Sequence, residues 1–172
     1  MPDISLLRDT TTEKDFLDIY DQYADMVFRY CWRRVYDREL AKDIMQEAFM
    51  KSWQYVSEGK SVQNMKAFVF QVATNLIIDY HKKKKDLSLE TIEEHSPAIT
   101  VNNKKNWDAM IDAKDMLKHV EQLEEPYKTA FELRYLQELT PKEIAQIVGE
   151  RVNVISVRIH RARKQFLSMV KP

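Results

Sequence analysis

Covalent catalysis needs groups gathered in one place: a nucleophile beside a base, metal ligands at helical spacing, or a glycine-rich loop around a phosphate. This 172-residue chain holds no such arrangement in its sequence. His81, His95, His119 and His160 are scattered, with no ligand pair at helical spacing. Cys31 stands alone, which excludes an internal disulfide and a cysteine-based zinc site. It reads as a small core residue in an aromatic helix and fits a reducing cytoplasm. Gly59 and Gly149 are too few for a phosphate cradle. The expectation is a protein that is not an enzyme and uses no metal or cofactor. Its chemistry lies in patches of charge.

The formal charge is zero, with 27 basic and 27 acidic residues, so no bulk basic signal points to nucleic acid. The sum hides a strong local asymmetry. Residues 151–172 carry six basic side chains and no acidic one, whereas residues 86–150 carry 7 basic and 14 acidic. A cationic helix behind a tight turn suits the DNA major groove and its phosphates. The plainer reading is a basic helix that only solubilises the terminus; the capped helix before it and Gly149 favour DNA. A second patch is the run Lys82–Lys85, near Phe68, Phe70 and Tyr80. Cations with aromatics suit single-stranded nucleic acid; alternatively the aromatics are core and the lysines a frayed, solvated end. A third is Asp43, Gln46, Glu47 and Met50, at three- and four-residue steps. Like charges four apart disfavour a helix mildly. The stripe therefore hints at a basic partner, or is an ordinary solvated face.

The elements that position these patches are helical. Two glycines cannot supply the tight turns of a β-rich fold. Apolar residues make up 44% and charged residues 31%, as in a foldable globular chain. Phe16, Ile19, Tyr20, Tyr23, Met26, Val27 and Tyr30 mark one face of a helix over 13–36. Asp37 reads as the next N-cap, before a helix over 38–56 with Leu40, Ala41, Ile44, Met45, Ala48, Phe49 and Trp53. A third, over 64–81, carries Phe68, Val69, Val72, Ala73, Leu76, Ile77 and Tyr80. Periodicity fails over 86–106, which predicts an interdomain linker. It returns with Trp107, Met110, Ile111, Met116, Leu117, Val120 and Leu123. Pro126 suits the first turn of a helix to about 136. Thr140-Pro141-Lys142-Glu143 starts another with a capping box, Gly149 ends it, and a last helix runs from Val152 to Val170. Two helices around such a turn form a helix-turn-helix. No apolar run reaches the length of a membrane span, about 18 residues. No apolar segment marks a signal peptide.

These motifs in this order resemble a bacterial RNA polymerase sigma factor of the sigma-70 family, extracytoplasmic-function (ECF) group. The order is D-I-x-Q-E-x-F-x-K-x-W, A-F-x-x-x-x-A-x-N-x-x-I-D-Y with a basic run, a linker, L-x-x-P-Y-x-x-A-F-x-L-R-Y, K-E-I-A and R-I-H-R-A-R. The resemblance implies an all-α chain of two small domains. Residues 1–85 would be a three- or four-helix domain for polymerase docking and the −10 element. Residues 86–106 would be the linker, and 107–172 the helix-turn-helix domain for the −35 element. It assigns core polymerase binding to Asp43, Gln46, Glu47, Phe49 and Trp53. It assigns −10 recognition and melting to Lys66, Phe68, Asn75, Asp79, Lys82, Lys83 and Lys84, with a flipped base taken by the loop at 56–66. It assigns −35 binding to Ser156, Val157, Arg158, Arg161 and Lys164. The implied partners are core RNA polymerase (the largest subunit's clamp helices and the flap region), promoter DNA and an anti-sigma factor, in the cytoplasm with no membrane insertion.

The chain departs from the family pattern in two places. Glu150 and Arg151 replace an apolar residue and a serine cap. Val154-Ile155-Ser156-Val157-Arg158 replaces a Thr-Val-x-Ser-Arg string, so the −35 sequence is open. The competing reading is a helix-turn-helix regulator with an N-terminal helical interaction domain, against which the N-terminal motifs argue. A sigma-like module that no longer binds DNA is a third.

Overall fold

A computed structural model describes residues 13–87 and 115–170. All regular structure in them is helical, and they belong to two compact units. In the first, α1 (Glu13–Val35), α2 (Arg38–Ser57) and α3 (Met65–Leu87) pack around one core. Asp37 caps α2 as expected, its carboxylate accepting the Leu40 amide at 3.0 Å. Asn64 does the same for Ala67 at the start of α3. Gly59, at φ +82°, makes the left-handed step after α2 that an L side chain resists.

Val27, Cys31, Ala41, Ala48, Val69, Phe70 and Ala73 fill that core. The rings of Tyr30 and Phe70 meet edge to face at 5.4 Å. The Thr74 hydroxyl donates to the Phe70 carbonyl at 2.7 Å. The buried Tyr30 hydroxyl therefore donates to Thr74 Oγ1, 3.0 Å away, tying α1 to α3. Burial of Cys31 raises its thiol from an ordinary 9.0 to about 12.

The last turns of α3 extend the sequence expectation. The periodicity predicts a helix ending near 81, with a frayed lysine end as one of two readings of the run; the helix continues through Lys82–Lys85 to Leu87. Lysine is a good helix former, and cations at a C-terminus meet the negative end of the helix dipole. Only residues 86 and 87 of the expected linker are described, and both belong to α3. The rest of the linker, His95 included, lies outside the described residues, as do Trp107, Met110 and Ile111 of the segment that follows it.

In the second unit, residues 115–121 are the described part of α4. It is followed by α5 (Tyr127–Phe131), α6 (Pro141–Val148) and α7 (Val152–Val170). Val120, Leu123, Phe131 and Ala162 form a core against which Tyr127, Phe166 and Met169 pack. Met116, expected on the apolar face, is exposed. The helix expected to run unbroken to 136 instead widens into a π turn over Glu132–Leu136, closed by the Gln137 amide on the Glu132 carbonyl at 3.1 Å. Leu133 within the turn and Leu139 beyond it are both buried, as is Phe131 just before it.

Candidate nucleic-acid and polymerase interfaces

The helix-turn-helix forms as its sequence dictates. Thr140 accepts the Glu143 amide at 3.3 Å, and Glu143 accepts the Thr140 amide at 2.7 Å, closing the capping box. Gly149 ends α6 at φ +70° and ψ +35°, and the Glu150 amide returns to the Ala145 carbonyl at 3.0 Å. Ile155, Ile159 and Ala162 turn inward, which fixes the rotation of α7. Arg161, Lys164, Ser156 and Val157 are therefore exposed.

Two of the predicted −35 residues are engaged within the protein. The Ser156 hydroxyl donates to the Val152 carbonyl at 3.0 Å. Arg158, half-buried, is ion-paired through Nη2 to Glu150 Oε1 at 2.8 Å. Glu150 stood out in the sequence as an unusual residue, but nothing there linked it to a side chain eight positions on. Val154, Val157, Arg158 and Arg161 line one shallow groove with Pro126 and Tyr127.

On the first unit, α2 divides its five predicted docking residues. Asp43, Gln46 and Glu47 face solvent. Glu47 pairs with Lys51 at 2.9 Å, an ordinary exposed helix pair. Phe49 is a core residue, 3% exposed, with the rings of Phe16 and Tyr20 at 6.2 and 4.8 Å. It supports the surface from beneath. Trp53 is half-buried, tilted against Phe16 at 5.1 Å. Above them lies an apolar groove between α1 and α2, lined by Leu17, Tyr20, Gln46, Met50 and Trp53.

The predicted −10 residues fall on α3 and its entrance. Lys66 Nζ sits 5.4 Å from the centre of the Tyr23 ring, and half-buried Phe68 tilts against Tyr55 at 4.9 Å. Asn75 and Asp79 are exposed, one turn apart, and Lys82, Lys83 and Lys84 continue the helix in solvent. The sequence did not single out Tyr55, or Lys60 within the 56–66 loop. Lys60 lies over the Tyr55 ring at 4.8 Å and is bonded to Glu58 at 2.7 Å. That hydrogen bond lowers the Glu58 carboxyl and raises the Lys60 ammonium from their ordinary values. The available signal was an aromatic residue, Tyr55, off the apolar stripe of α2. Among the described residues no group of three histidine, cysteine or acidic side chains is placed to hold a metal. None of their helices is long and apolar enough to cross a membrane.

A helical unit with a basic α3, followed by a capped helix-turn-helix, describes the two-domain class of transcription initiation factors. Family models agree: sigma-70 region 2 matches residues 19–86 and sigma-70 region 4 matches residues 114–166. The chain belongs to the sigma-70 family of RNA polymerase sigma factors, in its ECF group. It is 30% identical over 157 residues to the ECF sigma factor SigM of Bacillus subtilis, covering 88% of this chain and 93% of that one. To SigW of the same organism it is 28% identical over 159 residues, covering 87% and 85%. Its fold matches that of the sigma factor RpoE, solved with the anti-sigma factor NepR from Bartonella quintana. The TM-score is 0.75 at 21% identity, over 92% of this chain and 99% of that one.

Proposed function

We infer that this protein is the sigma subunit of a bacterial RNA polymerase, binding the core enzyme and directing it to start transcription at particular promoters. The observation that carries this reading is the presence of both sigma-70 regions, in order, in one chain. The domain bounds taken are 1–85, a linker over 86–106, and 107–172. Asp43, Gln46, Glu47 and the rim of Trp53 dock on the clamp helices of the largest subunit, with Phe49 as their support. Lys66, Phe68, Asn75 and Asp79 act on the opened −10 strand. Lys82, Lys83 and Lys84 hold its phosphates. Ser156, Val157, Arg158, Arg161 and Lys164 face the −35 duplex, and the second unit meets the flap region. The protein makes and breaks no covalent bond itself; that chemistry belongs to the core enzyme. It works in the cytoplasm, where core polymerase is found. An anti-sigma partner is supported by the complex in which RpoE was solved.

Run-off transcription with core polymerase and a pool of random promoter DNA, with and without the protein, tests the reading. New start sites that depend on the protein are expected, and they define both promoter elements. Absence of core binding, even with polymerase from the source organism, would sink it in favour of a helix-turn-helix regulator.

A further inference from the structure

We propose that α7 reads its −35 element through thymine methyl groups, with Val154 and Val157 as the reading side chains. The proposal rests on α7 being the duplex-reading helix and names the base feature it takes. The two valines lie three residues apart on the outward face and are 36% and 49% exposed. The helix does not use them for packing, because Ile155, Ile159 and Ala162 already bury the inner face. They line the same groove as Arg158 and Arg161, so the apolar patch is framed by cations. That combination fits a polyanionic duplex: arginines for phosphates, methyls for whatever is apolar on the base edges. In the major groove the only apolar group on a base edge is the C5-methyl of thymine.

Two of the polar side chains on this face are engaged within the protein, while exposed Asn153 and Arg161 in the same groove serve the neighbouring bases and phosphates. Ser156 commits its proton to the Val152 carbonyl at 3.0 Å. Arg158 commits a guanidinium nitrogen to Glu150 at 2.8 Å. Valine has neither a donor nor an acceptor. Discrimination at the bases facing Val154 and Val157 therefore runs through methyl contact and the exclusion of water.

Deoxyuridine differs from thymidine only by that methyl. The test uses polymerase holoenzyme carrying the full chain and a promoter found by the run-off selection. Each −35 thymine is replaced in turn by deoxyuridine, and binding is measured for the wild type and for Val154→Ala and Val157→Ala. At one or two positions deoxyuridine should weaken binding about fourfold per methyl lost. One alanine variant should make each of those positions indifferent to the change, with its melting temperature unaltered because the side chains are exposed. Equal binding of thymine and uracil at every position, with binding still dependent on the −35 duplex, would overturn the proposal. So would a −35 element with no thymine on either strand, or alanine variants that keep promoter binding but lose a protein partner. Failure to bind promoter DNA at all would instead overturn the reading of the protein as a sigma factor, and this proposal with it.

Discussion

Replacing Glu150 with glutamine removes one carboxylate from the turn before α7 while keeping its shape. In the wild type that carboxylate holds Arg158 Nη2 at 2.8 Å, with the two side chains 37% and 23% exposed. A pair this accessible stabilises the fold by about 0.2–1 kcal/mol, so the variant stays folded. The larger effect falls on DNA. Arg158 is released to one more phosphate, and each phosphate neutralised steepens the dependence of log affinity on log salt by about 0.9. Over a fourfold rise in salt, the Glu150→Gln holoenzyme should lose about three- to fourfold more affinity than wild type. Its gain over wild type should therefore be greatest at low salt. The assay is a salt titration of holoenzyme binding to labelled promoter duplex, repeated in an Arg158→Ala background. An unchanged slope in Glu150→Gln would refute the reasoning. So would the same steepening with Arg158 absent, since the effect would then be general repulsion rather than release of that guanidinium.

Arg161→Ala should weaken promoter binding and flatten the same salt slope by about one phosphate, read in the same titration. Tyr30→Phe should cost about 1 kcal/mol by chemical denaturation, because Thr74 keeps its bond to the Phe70 carbonyl and loses only the tyrosine donor. Phe49→Ala should cost about 3–5 kcal/mol by leaving a cavity in the core, whereas Asp43→Ala should lower core polymerase affinity in a pull-down with the melting temperature unchanged. Burial raises the Cys31 thiol from 9.0 to about 12. The folded state therefore keeps a proton that the unfolded chain loses above about pH 9, and stability contributed by this group falls between pH 9 and 12. A thiol reagent at pH 8 should label Cys31 at the rate at which the core opens; fast labelling of the folded protein would contradict its burial.

Local rules fixed much of this molecule in advance. The cap at Asp37, the Thr140–Glu143 box and the Gly149 stop are short-range devices whose partners sit within a few residues, so their chemistry is legible in sequence. Apolar periodicity likewise marked the inner face of α3, where Val69, Ala73 and Ile77 are all buried. Periodicity marks a face but not its depth. Phe49 and Trp53 lie on the same stripe of α2, and only packing against Phe16 and Tyr20 makes one core and the other rim. Pairings across turns were also hidden. Glu150 with Arg158, and Lys60 over Tyr55, join residues that no helical spacing connects. The π turn at Glu132–Leu136 escaped because it answers to the burial of Leu133 and Leu139, a demand of the assembled core rather than of the local residues.

The division of α7 between two faces bears on how such a protein diverges. Ile155, Ile159 and Ala162 hold the helix to its unit, while Val154, Val157 and Arg161 point away from it. Exposed substitutions usually alter stability by no more than about 0.5 kcal/mol. Outward residues of α7 can therefore be exchanged one at a time without the chain passing through an unfolded intermediate, and under the proposed −35 role each exchange would alter the target. On the proposed reading of α7, its DNA-facing positions and its packing positions are largely different residues, so a change of target need not be a change of fold.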